Sequence, residues 1–195
     1  LAMMGPSGER DGPVQPLPLF RSVPIAGTHG GGVVVSSGAS YRLQVYDATG
    51  TLSEVWAVAD ALPRRVTDAD VEAAREHARQ TTDPELRDAL DRRWSRVDPA
   101  ERFPAFGGNI GLIFTAPPQI VESSTGELWV RGFPTDPGQG PLWWVFDPSG
   151  TLQGSVTLPE RFELQAVSEA GALGIHEDIF DVQRVALYPL THSGR

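Results

Sequence analysis

Over most of its length the chain alternates apolar and polar residues with the two-residue period of β-strands, and one turn punctuates that pattern twice. Val45-Tyr46-Asp47-Ala48-Thr49-Gly50-Thr51-Leu52 returns as Val145-Phe146-Asp147-Pro148-Ser149-Gly150-Thr151-Leu152. Each copy reads as strand, turn, strand. Asp suits the first position of a type I turn, Pro148 arrives with its φ preset, and Gly50 or Gly150 takes the left-handed position of a bulged hairpin. Before the first copy, Tyr41, Leu43 and Val45 fall on one face and Arg42, Gln44 and Tyr46 on the other. Strands are expected around Val23–Ala26, Gly32–Ser36, Tyr41–Asp47 and Thr51–Val58. Trp143 and Trp144, adjacent on a strand, must point to opposite faces, so at least one belongs in a core.

A glycine followed by an apolar strand recurs at Gly32-Val33-Val34-Val35, Gly126-Glu127-Leu128-Trp129-Val130 and Gly171-Ala172-Leu173-Gly174-Ile175. The last two glycines stand about 45 residues apart, the span of one four-stranded propeller blade. The first interval is about twice as long, and between Pro63 and Phe106 the spacing turns helical. Thr67 and Asp70 form a start like a capping box, followed by Val71, Ala74 and Ala78 on one side. A second helix is expected from Asp83-Pro84, with Leu86, Leu90, Trp94 and Val97 as a narrow stripe and Trp94 as a packing anchor. The chain therefore divides into a linker or truncation scar at 1–19, a blade at 20–62, a two-helix insertion at 63–106, a blade at 107–160, a last blade lacking its outer strand at 161–190, and a tail at 191–195. The expected fold class is all-β with a helical insertion.

Charge and composition narrow the function classes. The chain has 195 residues and a net charge of −9. Its basic residues are all arginine, and a nucleic-acid footprint is not expected of so acidic a chain. No stretch has the length of a membrane-spanning helix, so a soluble protein is expected, with export in a full-length protein left open. Without cysteine there is no thiolate nucleophile, disulfide or Cys-ligated zinc.

The chain resembles the C-terminal half of bacterial six-bladed β-propellers of uncharacterised function. The likeness is carried by Tyr41-Arg42-Leu43-Gln44-Val45-Tyr46-Asp47, Val66-Thr67-Asp68-Ala69-Asp70-Val71-Glu72, Gly126-Glu127-Leu128-Trp129-Val130, Trp144-Val145-Phe146-Asp147-Pro148 and the closing strand from Val182 to Leu190. It covers most of the chain from Phe20 onward, and the helical insertion falls at the same point between blades. The stretch from Gly107 to Pro118 departs from it, being longer than the connection expected there. The resemblance implies about three antiparallel four-stranded blades, preceding blades outside this sequence, and a strand from the N-terminal region of a full protein completing the last blade. Three blades do not close a ring, so self-association through open blade edges is expected.

Candidate chemistry is sparse. Thr28-His29-Gly30-Gly31-Gly32 matches the oxyanion segment of esterases superficially, but no Gly-x-Ser-x-Gly elbow accompanies it and a hairpin turn explains it better. His176-Glu177-Asp178 is the densest titratable group outside the helices; three consecutive residues do not converge on one point, which favours a solvated loop over a metal or general-base site. His77 and His192 read as surface residues. Antiparallel blades place the tight turns at one end and the variable loops at the other, so binding is expected at the loop end. Arg131, entering the loop to Pro141, is the first candidate for a carboxylate or other anion, set against an ordinary surface ion pair. Arg131, His176 and Asp178 are thus the candidate binding residues, with no catalytic residue, metal ligand or cofactor assigned. The expected function is a scaffold for an unidentified protein or small-molecule ligand. The alternative is a hydrolase or lactonase-like propeller with metal ligands mainly in other blades, disfavoured because the expected inner strands, Val33–Val35, Leu128–Val130 and Leu173–Ile175, are apolar.

Overall fold

The computed structural model describes residues 20, 22–58, 61–81, 102–107, 119–135 and 139–190. The expected 1–19 linker, the second helix with Trp94, most of the stretch from Gly107 to Pro118, and the tail with His192 lie outside them. The described chain is mostly β, with one helix and three antiparallel sheets. In the first, β1 (Ile25–His29), β2 (Gly32–Ser36), β3 (Arg42–Tyr46) and β4 (Leu52–Ala57) pair in chain order. Helix α1 (Asp68–Thr81) precedes the second sheet, β5 (Ile120–Glu122), β6 (Leu128–Arg131), β7 (Leu142–Phe146) and β8 (Leu152–Thr157), again in chain order. The third holds β9 (Phe162–Ser168), β10 (Gly171–Glu177) and β11 (Gln183–Tyr188). No described helix is long and apolar enough to cross a membrane.

The repeated turn forms as its residues require. In each copy the N–H of the glycine donates to the carbonyl of the aspartate, Gly50 to Asp47 and Gly150 to Asp147, both at 2.9 Å. The glycines sit at φ 80° and 84°, and a bulge falls between Val45 and Tyr46 and between Val145 and Phe146. Each aspartate Oδ1 accepts from two backbone N–H groups as well, at 2.8 and 3.0 Å in the first copy and 2.9 and 3.0 Å in the second. The hydroxyl of Thr49 or Ser149, and then these backbone donors, hold the carboxyls below the usual carboxylate range.

Alternation along the strands gives every sheet two faces, and the sheets stack through them. Val34, Leu43, Val45 and Trp56 of the first sheet meet Ile120, Leu128, Val130 and Phe146 of the second. The opposite face of the second sheet, with Val121, Trp129, Trp143 and Val145, meets Phe162, Leu164, Val167 and Ala172 of the third. Trp143 is thus core on one side, while Trp144 packs partly buried on the other, its ring 5.4 Å from Tyr41.

Helix α1 starts with a reciprocal cap. Asp70 Oδ2 accepts from the Thr67 N–H at 2.8 Å and hydroxyl at 2.7 Å, while the Asp70 N–H returns to Thr67 Oγ1 at 3.4 Å. Arg64 grips the same carboxylate with two N–H groups, at 2.9 and 2.8 Å. Arg64, then Thr67, pull Asp70 down to about 2. A depressed carboxyl contributes stability that is complete above its unfolded pKa of ~3.9 and is lost as pH falls through the folded value. Arg64 is half exposed, so screening discounts the contribution to about 1 kcal/mol. Asp70→Asn should therefore melt earlier than wild type at pH 7 and match it near pH 2, as thermal unfolding at both values would show.

Candidate functional site

Because consecutive strands are antiparallel, the tight turns β1–β2, β3–β4, β5–β6, β7–β8 and β9–β10 share one end of the stack. The loops β2–β3, β6–β7 and β10–β11 and the connections between sheets share the other. The first strand of every sheet lies at a common edge. Gly27 of β1 lets Ile120 of β5 approach so closely that a Cβ would stand 2.6 Å from the Ile120 Cβ. Past β5, the Ser124 N–H donates to the carbonyl of Val167 in β9 at 3.0 Å. The strands at this shared edge are therefore β1, β5 and β9. This corrects the expectation that Val33–Val35, Leu128–Val130 and Leu173–Ile175 are innermost: they belong to β2, β6 and β10, the second strand of each sheet. A second strand has a hydrogen-bonded neighbour on both sides and is the more apolar for it; an edge strand borders open space and carries polar groups.

Those polar groups line a groove of about 470 Å³, with Thr28 from β1, Ile120 and Glu122 from β5, Ser123 and Ser124 from the turn after it, and Gln165 from β9. Glu122 Oε1 accepts from the Gly30 N–H at 2.9 Å, and His29 Nδ1 lies 3.1 Å from the same oxygen, close enough for an ion pair but not aligned as a hydrogen bond. The glycine run of the esterase-like segment is a two-residue hairpin turn, with Gly30 at φ 56° and Gly31 at φ 78°. Its Gly30 N–H is spent on Glu122. Apart from Thr28 in the esterase-like segment, the groove residues carry no sequence signal as a site, since only the packing of three strands distant in the chain brings them together.

Arg131 closes β6 at the loop end. Its N–H donates to the Gln119 carbonyl and its own carbonyl accepts from the Gly107 N–H, both at 2.8 Å, so its backbone is held on two sides. A connection returning from the helical segment supplies Gly107, preceded by the buried Phe103, Ala105 and Phe106. The Arg131 side chain is partly buried on the face shared with the third sheet, directly across from Trp143 and two residues from Trp129. Burial pulls its pKa below the usual arginine value, and the charge of Glu163 opposes that. No described carboxylate reaches ion-pair distance of Arg131, and its Nε–H is buried without an acceptor. The indole N–H groups of Trp129 and Trp143 on the same face are buried without acceptors too. Among the described residues, no acid forms the ion pair of the expected alternative, a surface arginine paired to an acid.

His176 and Asp178 make local contacts within the third sheet and the loop after β10. His176 lies within β10, not in a loop, and its Nδ1 stands 2.8 Å from the Tyr188 hydroxyl. Asp178 begins the loop that follows, and it builds the repeated turn once more: its Oδ1 accepts from Phe180 and Val182 at 2.9 and 3.1 Å, and the Asp181 N–H donates to its carbonyl at 3.0 Å. Asp181, at φ 59°, takes the place of the glycine. The Phe180 N–H, then that of Val182, holds the Asp178 carboxyl below its usual range. The structure thus brings His176 and Asp178 to one end of the third sheet, while no described hydrogen bond or ion pair joins either to Arg131. Among the described residues, no three His, Asp or Glu side chains gather as metal ligands would. No protein-family model and no curated protein matches the chain.

Proposed function

We propose that the three sheets are consecutive blades of a six-bladed β-propeller, and that the chain is a binding scaffold whose loop end holds the carboxylate, or another small anionic group, of a ligand through Arg131. The observation that carries the binding reading is the Arg131 side chain: a partly buried guanidinium with no described acid in ion-pair contact. A partly buried cation with no described acid in contact is costly, whereas a ligand anion meeting its planar fork of donors recovers that cost. Support for the blades is the topology itself: up-and-down sheets stacked face to face, with first strands at a common edge.

Titration calorimetry with acetate, succinate, citrate and inorganic phosphate tests the site. Arg131→Met keeps the length and apolar stem of the side chain and removes the charge; it should weaken binding of the preferred anion at least tenfold, a loss matching a charged hydrogen bond of about 1.5–3 kcal/mol. Binding unchanged in Arg131→Met, or no binding of any of the four anions to the wild type, would overturn the reading.

A further inference from the structure

The two outermost faces of the stack carry exposed apolar side chains, on the first sheet beside Arg42, Gln44 and Tyr46, and the register identifies what each face would be in the sheets where it is covered. The pairs Val34↔Val45, Trp129↔Val145 and Leu173↔Leu187 occupy equivalent positions in the three sheets, next to the equivalent pairs Val33↔Tyr46, Leu128↔Phe146 and Ala172↔Tyr188. Trp143 and Val185 correspond in the same way, each on the third strand across from the last equivalent residue of the second, Arg131 or Ile175.

On the forward face, Val34 and Val45 are at most 7% exposed and Trp129, Trp143 and Val145 at most 8%, because the following sheet covers them. The same positions of the third sheet, Leu173, Leu187 and Val185, are 41, 51 and 79% exposed. On the backward face the order is reversed: Leu128 and Ala172 are sealed by the preceding sheet, while their equivalent Val33 is 44% exposed and Val55 lies open nearby at 50%. What covers a forward face in this molecule is, both times, the backward face of a sheet of the same design. The first sheet carries the equivalent face, with none of the described residues packed on it. Charge agrees with the match, since Arg42 lies on that backward face at its loop end and Glu177 lies at the loop end of β10, on the forward face in line with Leu173 and Ile175.

We propose that the forward face of the third sheet docks on the backward face of the first sheet of a second copy of this chain, head to tail, and that two such contacts close a twofold pair of six sheets. The docking rests on the equivalence of the faces, and closure at two copies rests on the six-bladed reading. Burial of Leu173, Val185, Leu187, Val33 and Val55 supplies the apolar drive, and Arg42 with Glu177 sets the register at one rim.

Light scattering on the full chain tests it, using Val185→Arg and Val33→Arg, both at exposed positions where a folded monomer tolerates the charge. Wild type should weigh twice the 21.0 kDa protomer. Each variant alone should weigh one protomer, since a head-to-tail pair uses both faces in every contact. An equimolar mixture of the two should recover a pair, because one contact, between the native third sheet of the Val33→Arg chain and the native first sheet of the Val185→Arg chain, remains whole. A wild-type monomer at about 100 μM would overturn the docking. So would a Val33→Arg chain that still pairs, which would mean that two third sheets meet each other. Open oligomers larger than a pair, lost in both variants, would overturn the closure and with it the six-bladed reading, leaving the docking faces correct.

Discussion

Trp143→Ala is expected to cost about 4 kcal/mol, within the ~3–5 kcal/mol seen for emptying a buried large aromatic site. Trp143 is among the largest fully buried side chains and sits where the second and third sheets meet, against a cluster that includes Phe162, Leu164 and Val167. Neighbouring β-strands are held in register by backbone hydrogen bonds and cannot collapse into the space, so the cavity persists. Set against a total stability of about 5–15 kcal/mol, and with about 2–4 °C of melting temperature per kcal/mol at this chain length, the melting point should fall by roughly 10 °C. Trp143→Phe should cost under about 1.5 kcal/mol, because it keeps most of the ring and removes an indole N–H that has no acceptor in the core. Urea unfolding followed by near-ultraviolet circular dichroism measures both. A loss below about 1 kcal/mol for the alanine variant would mean that the second and third sheets do not depend on each other.

Gly32→Ala should be nearly as damaging, at about 3 kcal/mol, although it adds a single methyl group. A Cβ at Gly32 would run into the Tyr46 carbonyl oxygen and stand 3.0 and 3.1 Å from the Tyr46 carbonyl carbon and the Asp47 Cα. All three belong to the backbone of the paired strand, so no side chain can swing aside; β2 and β3 must separate where the repeated turn begins. Gly171 faces the same obstacle from Tyr188. Gly126 does not: its constraint is a φ of 84°, and a Cβ there would meet only the Pro148 side chain at 3.3 Å. Gly126→Ala should therefore cost about 1 kcal/mol. Equal losses in parallel denaturation of the Gly32 and Gly126 variants would contradict this division.

These glycines show how much of the fold was legible. The three glycine-led strands look like one motif in the sequence, and all three do begin or precede the second strand of a sheet. Their glycines nevertheless answer different demands, and the register places Gly126 one position earlier than Gly32 and Gly171. The turn was legible twice and is present four times among the described residues. Ser123 builds it with a hydroxyl where Asp47 uses a carboxylate, accepting from the Thr125 and Glu127 N–H groups at 3.3 and 3.0 Å. Asp178 builds it with Asp181 in the left-handed position. A type I turn with a bulge asks for an acceptor at its first residue and a tolerated positive φ at its fourth, and several residue types supply each; a search for Asp and Gly together finds half of the cases. Hence the dense His176-Glu177-Asp178 group, expected as a solvated loop in preference to a metal or general-base site, is a strand end and a turn.

Local rules were enough for the alternating strands, the hairpin turns, the Thr67 and Asp70 cap of α1 and the opposite facing of Trp143 and Trp144, because each follows from backbone geometry within a few residues. Arg131 could be singled out from its place at a strand end entering a long loop. That it is partly buried, lies across from an indole N–H without an acceptor and has no described acid in contact was decided by the stacking of the third sheet on the second. The groove between Thr28, Glu122 and Gln165 and the open faces at Val33 and Val185 have the same origin. Burial at a sheet face is a property of what packs on it, and two-residue alternation specifies which side chains share a face without specifying whether anything covers it.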